Sequence, residues 1–141
     1  MKEQIQTQIA GVERMLKALN GEEVDPGVRL AEPGTSCQYI DRHNTCCIVG
    51  ALMSPATREQ VLMAGRNSVG IDGLGMVSSQ DLSYLEWRFL KRLQLIFDNG
   101  KVTNEAMEPV DQAHSPNARI AEIRRLLEGK LRVLKAELLA C

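Results

Sequence analysis

The 141 residues suit one ordinary domain, large enough to bury a real core and too small for two. Apolar residues at 44% and charged residues at 25% exclude a disordered or fibrous chain. Seventeen basic against eighteen acidic side chains, a net charge of -1, exclude a global field that would draw the molecule onto phosphate backbones or acidic membranes.

In chain order, Ile5, Ile9, Val12, Leu16 and Leu19 recur at alternating steps of four and three and predict an amphipathic helix over about 3–19, stopped by Asn20-Gly21. Residues 21–45 hold Pro26, Gly27, Pro33 and Gly34 without steady periodicity and are expected to be irregular. Inside that stretch, Cys37 to Ile40 alternate as a short strand would, Arg42-His43-Asn44 read as a turn, and Cys46 to Val49 read as the return strand of a two-stranded β-hairpin near 37–49. A buried helical turn beginning near Cys46 is the alternative.

Ser54-Pro55 has the form of a cap and first helical position for a short helix to Met63. A glycine-rich loop follows at 65–75. Ser78 with Asp81 forms a capping box, predicting a helix to about residue 98 whose Leu82, Leu85, Phe89, Leu93, Ile96 and Phe97 line one side, closed by Asn99-Gly100. A weaker helix is expected over 103–113, bent or ended near Pro109. Ser115-Pro116 opens a long amphipathic helix over 116–141. There Ile120, Leu127, Leu134 and Cys141 repeat every seven residues, with Leu131 and Leu138 between them, in a coiled-coil-like seam interrupted by Arg124. The fold expected is mainly α, a single helical domain over 1–141, with residues 116–141 as a candidate element for self-association or partner binding.

No run approaches the roughly 20 apolar residues of a membrane span, and MKEQIQTQIAGVERM lacks the apolar stretch of a signal peptide. A cytoplasmic protein without a membrane partner is therefore expected. Aromatics at 4% are too few for base stacking, so direct sequence-specific nucleic-acid binding is not. In the cytosol thiols stay reduced, and the four cysteines read first as buried small residues, then as ligands or nucleophiles, and last as disulfides.

Reactive groups are densest at Cys37, Asp41, His43, Cys46 and Cys47. Cys37, His43, Cys46 and Cys47 have the chemistry of a zinc set, but adjacent cysteines diverge on an extended chain and the spacing lacks the usual separated pairs. A thiol nucleophile at Cys46 or Cys47, with His43 as base and Asp41 as orienter, would need three near neighbours in sequence to converge. A buried core segment over 46–52 is the favoured reading. The 65–75 loop could cradle an oxyanion on its backbone N–H groups, yet it has no Gly-Lys-Ser/Thr and no GxGxxG after a strand. No catalytic residue and no cofactor is expected.

The charge is uneven. Residues 116–141 carry six basic against three acidic side chains, Arg124, Arg125 and Arg132 among them. Trp87 stands beside Arg88 and Lys91 as an interface anchor would. These six residues are the expected partner-binding set.

Cys37-x-Tyr39, Cys47-x-Val49-Gly50-x-Leu52 and Leu90-x-x-Leu93-Gln94 resemble a group of small proteins of bacteriophages and prophages, over roughly residues 35–100. Cys46 and the long last helix depart from that pattern. The resemblance implies an origin on a mobile element and, by analogy of origin, a non-enzymatic protein that binds a host protein or nucleoprotein complex, such as an anti-CRISPR or other anti-defence inhibitor. The alternatives are a small-ligand or nucleotide-binding protein using the 65–75 loop, or a zinc or thiol module over 37–47. A homodimer through 116–141 is a further expectation.

Overall fold

The computed structural model describes residues 1–34, 38–65 and 85–141. Cys37 and most of the 65–75 loop, with Arg66, Ser78, Asp81 and Leu82, lie outside the described residues. The described chain is mainly helical, and its element order is α1 (Lys2–Leu19), β1 (Arg29–Leu30), β2 (Thr45–Cys46), α2 (Ile48–Leu52), α3 (Pro55–Met63), α4 (Trp87–Asn99), β3 (Lys101–Thr103), β4 (Pro109–Gln112) and α5 (Pro116–Ala140).

Three helices begin and end as their sequences dictate. α1 buries Ile5, Val12, Met15, Ala18 and Leu19, and Gly21 leaves it at a φ of +83°. Ser54 Oγ accepts from Thr57 N at 3.2 Å to open α3, and Ser115 Oγ accepts from Ala118 N at 3.0 Å to open α5. Each such cap satisfies one of the amide N–H groups that a first helical turn leaves without a partner.

Three expectations are corrected. Thr45–Cys46 pairs in parallel with Arg29–Leu30, so the two-stranded piece near 37–49 is not a hairpin. Residues 38–40 are bends. Cys47, the expected middle of a return strand, is the extended N-cap of α2, with Sγ accepting from Gly50 N at 3.4 Å. The buried helical turn is the form adopted, because Gly50 lets α2 seat against the Tyr39 carbonyl, where an added Cβ would lie only 2.0 Å from the oxygen. Second, α4 starts at Trp87 with Glu86 as its cap residue, and Leu85 is a buried bend ahead of it.

Third, residues 101–112 form an antiparallel hairpin in place of the helix expected over 103–113. Gly100 leaves α4 in the left-handed region at φ +72°, and β-branched Val102 and Thr103 follow in extended form. Asn104 Oδ1 then accepts from Ala106 N and Glu108 N, both at 3.0 Å. A side chain that satisfies backbone donors in this way competes directly with helix.

The core joins α1, α2, α4 and α5 through Met15, Ile48, Leu90, Phe97, Leu127 and Leu134, all nearly inaccessible. Three side chains fix the orientation of α5. Its Arg124 reaches the Leu19 carbonyl at the end of α1. Its Arg119 reaches the Phe97 and Asp98 carbonyls at the end of α4, while Lys130 lies 5.5 Å from the Phe89 ring centre near the start of α4. α5 is therefore antiparallel to α4. The inner part of its heptad seam is buried within the chain, with Leu127 and Leu134 covered together with neighbouring Ile123, and Ile120, Leu131 and Leu138 packed around them.

Candidate functional site

The turn before α2 is held by Asp41. Its Oδ1 accepts from His43 N at 2.8 Å and Thr45 N at 3.0 Å, and its Oδ2 from Thr45 Oγ1. Burial alone would raise the Asp41 carboxyl, but these hydrogen bonds outweigh it and hold the group below the ordinary carboxylate range. Asp41 is thus a turn-forming residue rather than a partner of the His43 ring. His43 is exposed, whereas Cys46 and Cys47 are buried.

Burial pushes the Cys46 thiol up to about 11 and the Cys47 thiol up to about 12. A thiol in that range carries almost no thiolate at neutral pH, and the thiolate is the form that attacks or ligates. The described members of the predicted set are therefore divided between solvent, where His43 lies, and core, where Cys46 and Cys47 lie. Among the described residues, no group of three or more His, Cys, Asp or Glu side chains is arranged to hold a metal ion.

A second polar constellation was not legible in the sequence. Asp25 receives Arg14 Nη2 at 2.5 Å and also Arg58 Nη2. Arg14 donates further to the carbonyls of Ala51 (2.7 Å), Val24 (2.9 Å) and Met53 (2.9 Å). Arg58, 5% exposed, donates to the Gly50 and Met53 carbonyls. The two guanidiniums satisfy the carbonyls at the end of α2, which is where positive charge is favoured. Burial would raise the Asp25 carboxyl, but hydrogen bonds and charge from both arginines more than offset it, and the group is held below its ordinary value. A cleft of about 230 Å³ opens beside Arg14, between Thr7 and Gly11 of α1 and Leu52, Ser54 and Leu85.

A third group lies behind α2. Gln94 Oε1 accepts from Val49 N at 3.3 Å, and Gln94 Nε2 donates to Asp98 Oδ1 at 2.9 Å. Burial raises the Asp98 carboxyl despite that bond and the nearby charge of Arg119. Burial likewise raises the Tyr39 phenol. Gln94 thereby ties α4 to α2, a structural role for part of the Leu90-x-x-Leu93-Gln94 motif.

The six expected partner-binding residues fall into three places. Trp87, 40% exposed, and Lys91 share one face of α4 a turn apart, with exposed Arg88 beside them. Arg124 turns inward, donating to Leu19 O at 3.4 Å and Asn20 Oδ1 at 3.3 Å. It interrupts the apolar seam because it closes the end of α1. Arg125 pairs with Glu122 at 2.9 Å on the surface of α5, and Arg132 is exposed one heptad further along. Val133 and Leu139 are exposed there at 53% and 89%. No helix of the described residues is long and apolar enough to cross a membrane. No protein family, curated protein or solved structure matches the chain.

Proposed function

We propose that the protein works by contact with another protein rather than by turnover, with the outward faces of α4 and α5 as its working surface. The observation that carries this reading is Trp87. It is the single tryptophan, it stands 40% exposed at the first position of α4, and it shares that face with Arg88 and Lys91. Tryptophan with neighbouring arginine is the composition of energetically dominant interface positions. The burial of Cys46 and Cys47 supports the same reading, since these two thiols of the most reactive-looking part of the sequence are enclosed and their ionisation is opposed by burial.

The narrower form of the proposal is an inhibitor of a host defence nucleoprotein complex, of phage or mobile-element origin, and it rests on the resemblance alone. Self-association through 116–141 is a further part of the proposal. The seam that suggested it faces α1 and α4, so a homodimer would have to use Val133 and Leu139.

Affinity capture of the tagged protein from a bacterial lysate, read by mass spectrometry, tests the proposal. A defined host complex is expected, and it should be lost on Trp87→Ala. A purified protein that turns over a substrate and loses turnover on Cys47→Ala would overturn the reading. Truncation after Ser115 would be uninformative, because it removes Ile123, Leu127 and Leu134 from the core.

A further inference from the structure

We infer that the cleft beside Arg14 is a binding site for a small organic monocarboxylate with a compact apolar body. The inference stands apart from the contact reading above, which concerns α4 and α5, and either can fail without the other.

The charge of the arginine cage carries the first step. Arg14 and Arg58 share Asp25, and among the described residues it is the one carboxylate in ion-pair contact with either of them. Carbonyls of Val24, Gly50, Ala51 and Met53 accept from the two guanidiniums, but a carbonyl brings no net charge. Two cations and one anion leave the cage with one positive charge in excess. Arg58 is buried and Arg14 half-buried, so water shields that excess poorly, and an unbalanced charge away from water is costly.

The excess meets the cleft at Arg14, the one charged side chain among the described residues that line it. Bonds to Asp25 and to three carbonyls occupy four of its N–H groups. A guanidinium has five, which leaves one donor for an incoming acceptor. A single carboxylate balances the cage and takes that donor. A phosphate monoester, with close to two negative charges and three acceptor oxygens, exceeds both.

The rest of the lining sets the body of the ligand. Ala10, Leu52 and Leu85 present carbon to the cleft. Gly11 lets α1 approach Leu52 closely, since a Cβ there would lie 2.8 Å from Leu52 Cδ1. The Thr7 hydroxyl donates to the Glu3 carbonyl at 3.0 Å, so its proton is already committed. The volume of about 230 Å³ matches that of roughly eight waters in the liquid, which suits a short alkyl chain or one ring and is too small for a nucleotide.

The test uses the full chain with hexanoate as the probe, followed by backbone amide NMR. Saturable shifts at Gln8, Gly11 and Leu52 are expected at about millimolar hexanoate, as befits so small a molecule. Binding should weaken about tenfold or more on Arg14→Gln, which removes the charged donor, and on Ala10→Leu, which fills the cleft. Ala10 is exposed on α1 and leucine is a good helix former, so Ala10→Leu keeps the test open if Arg14→Gln does not fold.

Absence of saturable shifts overturns the inference. So does hexanol binding as tightly as hexanoate, which would make the cleft an apolar hollow without a role for Arg14. Inorganic phosphate that displaces hexanoate at equal concentration would overturn the carboxylate assignment. Unchanged affinity in Ala10→Leu would place the ligand elsewhere on the molecule and remove the site.

Discussion

Two sets of arginines use the same charge for opposite ends. Arg14, Arg58, Arg119 and Arg124 point inward and finish on carbonyls at the ends of α2, α4 and α1. Arg125 and Arg132 on α5 face water, one paired only with Glu122 a turn away. A guanidinium presents five donors in a rigid fork, so it can satisfy several carbonyls left open at a helix end. The same group on a solvated face contributes little to stability and remains available to a partner. Net charge close to zero conceals this division.

The comparison is broken most severely at Asp25. Asp25→Ala leaves two guanidiniums without their carboxylate, one of them nearly inaccessible, and should cost about 3–5 kcal/mol in urea unfolding at neutral pH. The wild-type contribution has a defined pH window. The carboxyl is held below its ordinary value in the fold, so its stabilisation is fully present above the unfolded pKa near 4 and is lost as pH falls through the folded value. The gap between wild type and Asp25→Ala should therefore narrow on acidification below about pH 4.

Arg119→Ala comes next. It removes donors to Ala113, Phe97 and Asp98 carbonyls and should cost about 1.5–3 kcal/mol. Arg124→Ala, whose bonds are longer, should cost about 0.5–1 kcal/mol through the end of α1. Urea midpoints at constant m-value would order the two, and an equal or reversed ranking would contradict the assignment of Arg119 as the stronger closure.

Asp98 sharpens the contrast in the other direction. Its carboxyl is raised by burial, so folding favours the protonated form relative to the unfolded chain. That contribution is present below the ordinary carboxylate pKa and is lost as pH rises through the folded one. Asp98→Asn keeps an acceptor for Gln94 and removes the ionisation, so its stability relative to wild type should improve between pH 4 and pH 7 in thermal melts. The smallest effect belongs to the outward set. Arg132→Ala should change unfolding free energy by no more than about 0.5 kcal/mol, measured under the same conditions as Arg119→Ala.

Local chemistry made α1, α3 and α5 legible, because apolar spacing, Ser54-Pro55, Ser115-Pro116 and Gly21 are signals carried within a few residues of the structure they specify. The partner of Thr45–Cys46 was not legible, since it lies at Arg29–Leu30 across an irregular segment and no local pattern names it. The helix expected over 103–113 failed where Asn104 offers its side chain to two backbone N–H groups, a competition that composition conceals. The Arg14–Asp25–Arg58 cage depends on carbonyls from residues 24, 50, 51 and 53, and an arginine in a helical sequence looks the same whether it meets those or water. Of the expected partner set, Arg124 is the residue most plainly reassigned, and its position inside the apolar seam was the available clue.

The most direct test sets the enclosed turn against the outward face in one capture experiment, comparing wild type, Cys47→Ala and Arg125→Glu/Arg132→Glu as folded proteins and quantifying the partner retained. The account predicts that Cys47→Ala keeps the partner and the charge-reversed protein loses it. Loss on Cys47→Ala with retention by the charge-reversed protein would contradict it and return the working site to the turn before α2.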